Sequence, residues 1–199
     1  MNRHEQRSEE TRSRLLMAAE ACFAQTGYDA TAVAEICQHA GVTKGAFYHH
    51  FSSKQEVFLN LLNRWLAGLD AQLATLRDDA SSVPDALAAM AGLVPEVLRA
   101  ADGHLPIYLE FWSKAARDPL VWQATIEPYR RYHDFFAGMI EAGASEGTLR
   151  PAHPETVARV IVALAVGLLL QALLDPERTD WELVWQEGVK VLLNGLAKR

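Results

Sequence analysis

The stretch from residue 41 to residue 54 reads GVTKGAFYHHFSSK, and its local signals decide the fold. Gly41 stands between two short helices, predicted at roughly 32–39 and 43–50 from their apolar spacing. A glycine permits a left-handed turn, which sets the two helix axes roughly perpendicular. Helices this short must pack on each other and on a third helix, which is predicted to end at Gly27. The spacing predicts a helix-turn-helix, although any helical hairpin with a glycine turn would share it.

The second of these helices has side chains suited to reading DNA. Gly45 and Ala46, near its start, are small enough for close approach to a major groove, and Lys44 offers a donor to guanine O6 or N7. The backbone N–H groups at the helix starts near Thr43 and Ser53 favour phosphate anions. Three further side chains bring a hydroxyl, an imidazole and an ammonium group for phosphates: Tyr48, His50 and Lys54.

The same string resembles the signature of the tetracycline-repressor (TetR) family of regulators, with Gly27-Tyr28 and Ile36 at the expected distances upstream. The resemblance implies that Phe47 and Phe51 are core residues. It implies that three side chains face phosphates, namely Tyr48, His50 and Lys54. It also implies that four residues lie at or near base edges, namely Lys44, Gly45, Ala46 and His49.

One position departs from the family pattern. Ala32 stands where members often have a hydroxyl residue that caps the helix and touches phosphate, so that only Thr31 could take this role. The arginines at positions 3, 7 and 12 could reach phosphate or the minor groove as a flexible arm.

The whole chain is predicted to be all-α, with about nine helices, because Ala, Leu and Glu dominate and no segment alternates with period two. Ser53 with Glu56 and Thr179 with Glu182 read as capping boxes that open helices. Asp118-Pro119 reads as another helix start, and Pro128 should kink that helix. We expect a DNA-binding domain over residues 1–52 and a ligand-binding and dimerisation domain over residues 53–199.

Residues 160–170 are apolar all round, whereas a surface helix would show one polar face. A second subunit would cover such a helix most simply, although a central helix in a monomeric core would look the same. The TetR resemblance independently implies a homodimer. The residues expected at its interface are Leu164, Val166, Leu168, Trp181 and Trp185.

The region from about residue 84 to 143 is rich in large apolar and aromatic side chains, which is the usual composition of a small-molecule pocket. Ordinary core packing would explain any one of them equally well. The resemblance places the effector cavity in this same region. The residues expected to line it are Met90, Tyr108, Trp112, Tyr129, His133 and Phe136.

Composition limits the remaining possibilities. The net charge is −6, but residues 1–64 (the head) contain seven Lys/Arg and seven Asp/Glu. The whole net negative charge therefore lies in residues 65–199 (the body). A neutral head and an acidic body would orient the molecule on DNA. The polar N-terminus does not resemble a signal peptide, and the apolar run is shorter than the ~20 residues of a membrane span. We therefore expect a cytoplasmic protein without a membrane partner.

No metal or cofactor is expected, because Cys22 and Cys37 match no zinc or redox spacing and read as small core residues. His49 and His50 are adjacent, so they point about 100° apart on a helix and cannot chelate one ion. The sequence also lacks a phosphate-binding glycine loop and a nucleophile paired with a base. An enzyme is therefore not expected. A pure dimeric adaptor is not expected either, because it would not need the DNA-contacting side chains Lys44, Tyr48, His50 and Lys54.

Together these features predict a one-component, ligand-responsive transcriptional regulator. The apo dimer would bind a palindromic operator and repress, and a small apolar or aromatic effector would release it. An activator of the same fold, or a regulator that binds DNA only with a co-repressor, stays open as an alternative. The sequence does not give the operator, the regulated genes or the effector.

Overall fold

The computed structural model describes residues 3–93, 109, 112–113 and 115–196, and no β-strand occurs within them. The all-α prediction is therefore confirmed. The one further helix that the sequence predicts lies before Asp118, in a stretch mostly outside the described residues. The eight helices in the described part are α1 (Arg3–Thr26), α2 (Val33–Ala40), α3 (Lys44–His50), α4 (Lys54–Asp79), α5 (Val83–Ala91), α6 (Pro119–Glu146), α7 (Pro154–Leu174) and α8 (Trp181–Leu196).

The apolar pattern predicts a first helix that begins near residue 9, but in the structure it begins at Arg3. Arg7 and Arg12 both lie inside α1, so the prediction of a flexible basic arm is wrong. The guanidinium of Arg12 lies over the ring of Phe51, 5.2 Å from its centroid, and donates a hydrogen bond to Asn60. These tertiary contacts give Arg12 a fixed position.

The chain divides into two compact units. The first contains Met1–Gly68 and Gly103–Trp122, and the second contains Leu69–Asp102 and Gln123–Arg199. The boundary lies within α4, because the start of this helix packs in the core of the first unit. The division at residue 52 is a statement about function and stays a prediction.

Aromatic rings form the core of the first unit. Phe23 packs against Tyr28 and Phe58, with ring centroids 5.3 and 6.2 Å apart. Phe47 and Phe51 are both fully buried, as the resemblance implied. Buried aromatic pairs of this kind add roughly 0.5–1.5 kcal/mol beyond the burial of their area. The Phe47 and Phe51 rings anchor α3, and the buried Ile36 and Cys37 side chains anchor α2; helices this short could not be stable alone.

The turn between α2 and α3 depends on Gly41, which has φ +64°. Its N–H donates to the Gln38 carbonyl oxygen at 3.2 Å, and the N–H of Val42 donates to the Cys37 carbonyl oxygen at 3.0 Å. These bonds satisfy carbonyls at the end of α2. Gly27 closes α1 in the same left-handed region, with φ 85°.

The second unit is built around aliphatic side chains from α4, α5, α6 and the loop that follows α6. Its buried core contains Leu73, Val83, Ala86, Leu87, Met90, Met139, Ile140 and Leu149. Gly143 allows a close approach here, because a Cβ at this position would lie 2.7 Å from Leu149 Cδ1 and 3.0 Å from Val83 Cβ.

Aspartate side chains cap the starts of α6 and α8. The Asp118 carboxylate accepts from the Val121 N–H at 3.4 Å, and α6 continues through Pro128. The capping box predicted at Thr179 is wrong. Asp180 takes the capping position, and its carboxylate accepts from the Leu183 N–H at 3.1 Å. Asp and Thr both cap helices well, so the sequence alone could not separate two adjacent candidates.

By length and composition, α7 is the one described helix that could cross a membrane, and 11% of its most apolar window is buried within the chain. The core helix of a soluble protein, which is mostly buried, passes the same test. Because so little of this window is buried, its own chain leaves most of α7 uncovered.

Candidate DNA-binding surface and effector region

One side of α3 is anchored in the first unit. The Thr43 hydroxyl accepts a hydrogen bond from the Ala46 N–H at 3.2 Å, which caps the helix start. Phe47 and Phe51 pack together with ring centroids 6.0 Å apart. The orientation of this seven-residue helix is therefore set by its cap and its buried rings.

The opposite side of α3 is open. Lys44, Gly45 and His49 are exposed, and 57% of Tyr48 is accessible. A Cβ added at Gly45 would meet only Thr43 Oγ1, at 3.7 Å. The start of the helix thus presents little bulk beside a cationic side chain, which suits close approach to base edges.

His50 is half-buried at the end of α3. Burial lowers the pKa of its imidazole, and the neighbouring His49 and Arg12 lower it further, while Glu9 acts in the opposite sense. His50 is therefore mainly neutral at pH 7 and would meet a phosphate as a hydrogen-bond donor. Sequence reasoning missed Arg12 as a neighbour of α3, because only tertiary packing joins the two helices.

Lys54 has partners within the first unit. Its ammonium donates to the carbonyl oxygens of Tyr28, Asp29 and Thr31, the last two at 3.2 and 2.7 Å. It also lies over the Tyr28 ring, 4.5 Å from the centroid. Lys54, the predicted phosphate ligand, thus holds the loop between α1 and α2.

Thr31 lies inside the first unit, only 1% exposed. Its hydroxyl donates to the Gly27 carbonyl oxygen at 2.7 Å and lies 2.9 Å from the Thr26 hydroxyl oxygen. Ala32 takes the N-cap position of α2 without a side-chain bond. A buried hydroxyl that bonds within its own unit does not favour the predicted phosphate contact of Thr31.

The start of α4 is capped by side chains. Ser53 Oγ accepts from the Glu56 N–H at 3.2 Å, and Glu56 Oε2 accepts from the Ser52 N–H at 2.6 Å and from its hydroxyl at 2.7 Å. These bonds lower the pKa of Glu56. The capping box is present in a variant form, with the returning bond made one residue earlier than expected.

The residues predicted to line an effector cavity have different environments. Met90 is buried in the second-unit core and Phe136 packs against it. His133 is also buried, and its Nε2 donates to the Glu155 carbonyl oxygen at 3.0 Å. Tyr129 is exposed in the same unit, whereas Trp112 is exposed in the first unit. Tyr108 lies outside the described residues.

A polar cluster in the second unit escaped sequence reasoning. Arg131 pairs with Asp70 at 2.8 Å. Burial raises the pKa of the neighbouring Tyr132, and its hydrogen bond with Asp70 raises it further. Tyr132 therefore stays protonated and donates to the carboxylate. The cluster links α4 to α6, two helices far apart in sequence, which is why no local pattern indicates it.

The predicted dimer residues also differ in burial. Leu164, Val166, Leu168 and Trp181 are half-buried. Trp185 is 8% exposed and packs within its own chain against Ala91, and among the described residues its indole N–H has no hydrogen-bond partner. The apolar side chains that α7 and α8 leave most open are others, namely Val160, Leu170, Leu174, Leu183 and Val191.

Family models match both parts of the chain. Residues 15–61 match "Bacterial regulatory proteins, tetR family", and residues 95–186 match "BetI-type transcriptional repressor, C-terminal". The HTH-type transcriptional repressor KstR2 of Mycobacterium tuberculosis is 31% identical over 143 residues, which are 70% of each chain. Its solved structure has a TM-score of 0.71 at 25% identity and covers 94% of this chain and 95% of its own.

Two further solved structures resemble this chain. A transcriptional regulator from Saccharomonospora viridis, solved in complex with choline, has a TM-score of 0.81 at 23% identity, covering 96% of this chain and all (100%) of its own. SmeT in complex with triclosan has a TM-score of 0.80 at 26% identity, covering 94% and 92%.

These similarities extend over both units. Regulators of this family are DNA-binding transcription factors and not enzymes. The chain belongs to the TetR family and is a DNA-binding transcriptional regulator with a helix-turn-helix formed by α2 and α3.

Proposed function

We propose that this regulator is a cytoplasmic homodimeric repressor that leaves a palindromic operator when a small apolar or aromatic molecule binds its body. The observation that carries this proposal is the exposed side of α3. This side presents Lys44, Gly45 and Tyr48 outward, while Thr43 and Phe47 hold the opposite side in place.

In this proposal α3 enters the major groove. Lys44 donates to guanine, and Ala46 makes apolar contact with a base edge. His49 lies near the base edges, while Tyr48 and His50 donate to phosphates. Lys54 would reach a phosphate only by giving up bonds to the loop between α1 and α2, so we assign it a smaller share of the affinity.

A second copy of the chain would cover α7 and α8. Val191, on α8, is 73% exposed, and Leu174, on α7, is 75% exposed. The two helices lie against each other within one chain, where a Cβ at Gly188 would make an ordinary van der Waals contact with Leu164 at 3.7 Å. The two helices can thus pair with their symmetry copies, and the two heads would meet half-sites about 34–36 Å apart.

The effector would act through the second unit. SmeT has been solved with triclosan, an apolar aromatic molecule, which supports a ligand of this class. Both units contain residues of α4, so a ligand that displaces the later part of this helix would disturb the head. Moving operator occupancy from 99:1 to 1:99 requires a differential affinity of about 10⁴. A ligand that binds without changing operator affinity would refute this mechanism.

Fluorescence anisotropy with DNA from around the protein's own gene, over a series of salt concentrations, tests the proposal. We expect tight, salt-dependent binding that collapses in Tyr48→Ala. Tyr48→Phe keeps the ring and removes only the hydroxyl, so it should lose about 1 kcal/mol. Binding that is unchanged in Tyr48→Ala would place the DNA surface elsewhere.

A further inference from the structure

Three side chains with metal-binding atoms meet in the first unit, on residues of α1 and α2. Cys22 lies on α1, while Glu35 and His39 lie one helical turn apart on α2. The Cys22 sulfur, a Glu35 carboxylate oxygen and a His39 ring nitrogen all lie within 4.8 Å of one another. Residues four apart on a helix share one face, so both α2 ligands face the sulfur of α1.

The separation of these atoms suits a tetrahedral ion. Zinc binds sulfur at about 2.3 Å and nitrogen or oxygen at about 2.0–2.2 Å, which puts the ligand atoms roughly 3.5 Å apart. His39 is exposed and Glu35 is half-buried, whereas Cys22 is fully buried. Small rotations of the two outer side chains would therefore close the site around a fixed sulfur.

We propose that Cys22, Glu35 and His39 form a binding site for a divalent transition metal, with zinc as the ion that fits this mixture of sulfur, nitrogen and oxygen ligands. A water molecule would occupy the fourth position beside the exposed His39. None of these three residues is among the proposed DNA contacts or the residues predicted to line the effector cavity.

Binding is balanced by loss of one proton. This proton comes from the Cys22 thiol, because cysteine binds a metal ion as the thiolate. The ion replaces this proton, which leaves to solvent, and a metal–thiolate bond forms. The positive ion also offsets the repulsion between the thiolate and the Glu35 carboxylate.

The site would join α1 to α2. A ligand that binds only the folded state stabilises it by mass action, so metal should raise the melting temperature of the protein. The clamp would lie one turn before Gly41, the residue that sets the angle between α2 and α3. The head would thus receive a second chemical input, independent of a ligand in the body.

The test uses the full-length, reduced, chelator-treated protein. Zinc is titrated in competition with a chromophoric chelator, and cobalt(II) is titrated separately to detect a thiolate-to-cobalt charge-transfer band. We expect one ion per chain and about 100-fold weaker binding in His39→Ala, which alters only an exposed side chain. The charge-transfer band should disappear in Cys22→Ala.

Matched variants distinguish this site from adventitious binding. His153→Ala removes an exposed histidine of the other unit, and Cys37→Ala removes the other buried thiol. Both should bind zinc as the wild type does. Cys37→Ala should also keep the cobalt band. The proposal is overturned if the wild type shows no saturable binding, or if His39→Ala binds zinc as tightly as the wild type does.

Discussion

The exposed surfaces of α3 and α7 differ in the partner that each requires. The open side of α3 is polar and cationic, and its apolar rings point inward. The open side of α7 is aliphatic, and the chain itself covers little of the helix. An exposed polar surface is stable in water, so α3 needs DNA only for function. An exposed aliphatic helix favours a partner even without any function.

This difference separates two kinds of structural dependence. The first unit is completed by its own caps and buried rings, whereas α7 and α8 leave apolar side chains exposed, where we propose that a second chain binds. We therefore expect substitutions on α3 to alter DNA binding without altering the fold. Substitutions on α7 should alter assembly first, and DNA binding only as a consequence.

The largest expected effect comes from Val166→Asp on α7. A carboxylate in an aliphatic interface costs roughly 3 kcal/mol or more, so the dimer should dissociate and operator affinity should fall at least ~100-fold. Sedimentation velocity and anisotropy measure the two effects. Arg159→Asp places the same charge at an exposed polar position of this helix and should leave the dimer intact. A V166D protein that is still dimeric and still binds DNA would contradict the proposal that a second subunit covers α7.

Lys44→Ala on α3 should weaken operator binding by about 1–3 kcal/mol and relax preference at one base pair. Circular dichroism and melting temperature should be unchanged, because Lys44 is exposed. Lys190→Ala removes the same charge from α8, where Lys190 pairs with Glu187 at 2.7 Å, and should leave DNA affinity unchanged. Equal losses in both variants would mean that only net charge matters.

Gly143→Ala compares a crowded helical glycine with an open one. The added methyl group would press on Leu149 and Val83, so we expect a loss of about 1–3 kcal/mol in the free energy of unfolding. Gly68→Ala has no atom within 4 Å of the new Cβ and should gain about 0.5–1 kcal/mol. Urea denaturation measures both, and a stabilised G143A protein would contradict this account of the second-unit core.

The smallest expected effect concerns Glu56. Because its pKa is lowered in the folded state, its stabilising contribution is complete above the ordinary value of 4.5 and is lost as pH falls through the lower folded value. Glu56→Gln should cost about 0.5 kcal/mol at neutral pH, since the group is largely solvated. Thermal melts across pH should show the two proteins converging in acid.

Features set by neighbouring residues could be predicted from the sequence. Gly27 and Gly41 each end a helix, and Asp118-Pro119 opens one, because each signal acts on its own backbone. The burial of Phe47 and Phe51 was implied by the family resemblance. The choice between Thr179 and Asp180 failed only because both residues can cap.

Features that depend on contacts between distant residues could not be predicted. Thr31 reads as a surface cap but its hydroxyl is buried, and Lys54 reads as a phosphate ligand but binds three carbonyl oxygens. Nothing in either local sequence specifies those partners. The same applies to Cys22 and His39, whose approach depends on how α1 packs against α2.

The bonds of Lys54 have a consequence for limited proteolysis. Trypsin cleaves after lysine only when the side chain extends into its specificity pocket. The Lys54 ammonium lies against the carbonyl oxygens of Asp29 and Thr31, so the bond between residues 54 and 55 is protected while this loop stays in place. Cleavage there follows the population of the opened state. The rate of this cut therefore measures how often the loop between α1 and α2 opens.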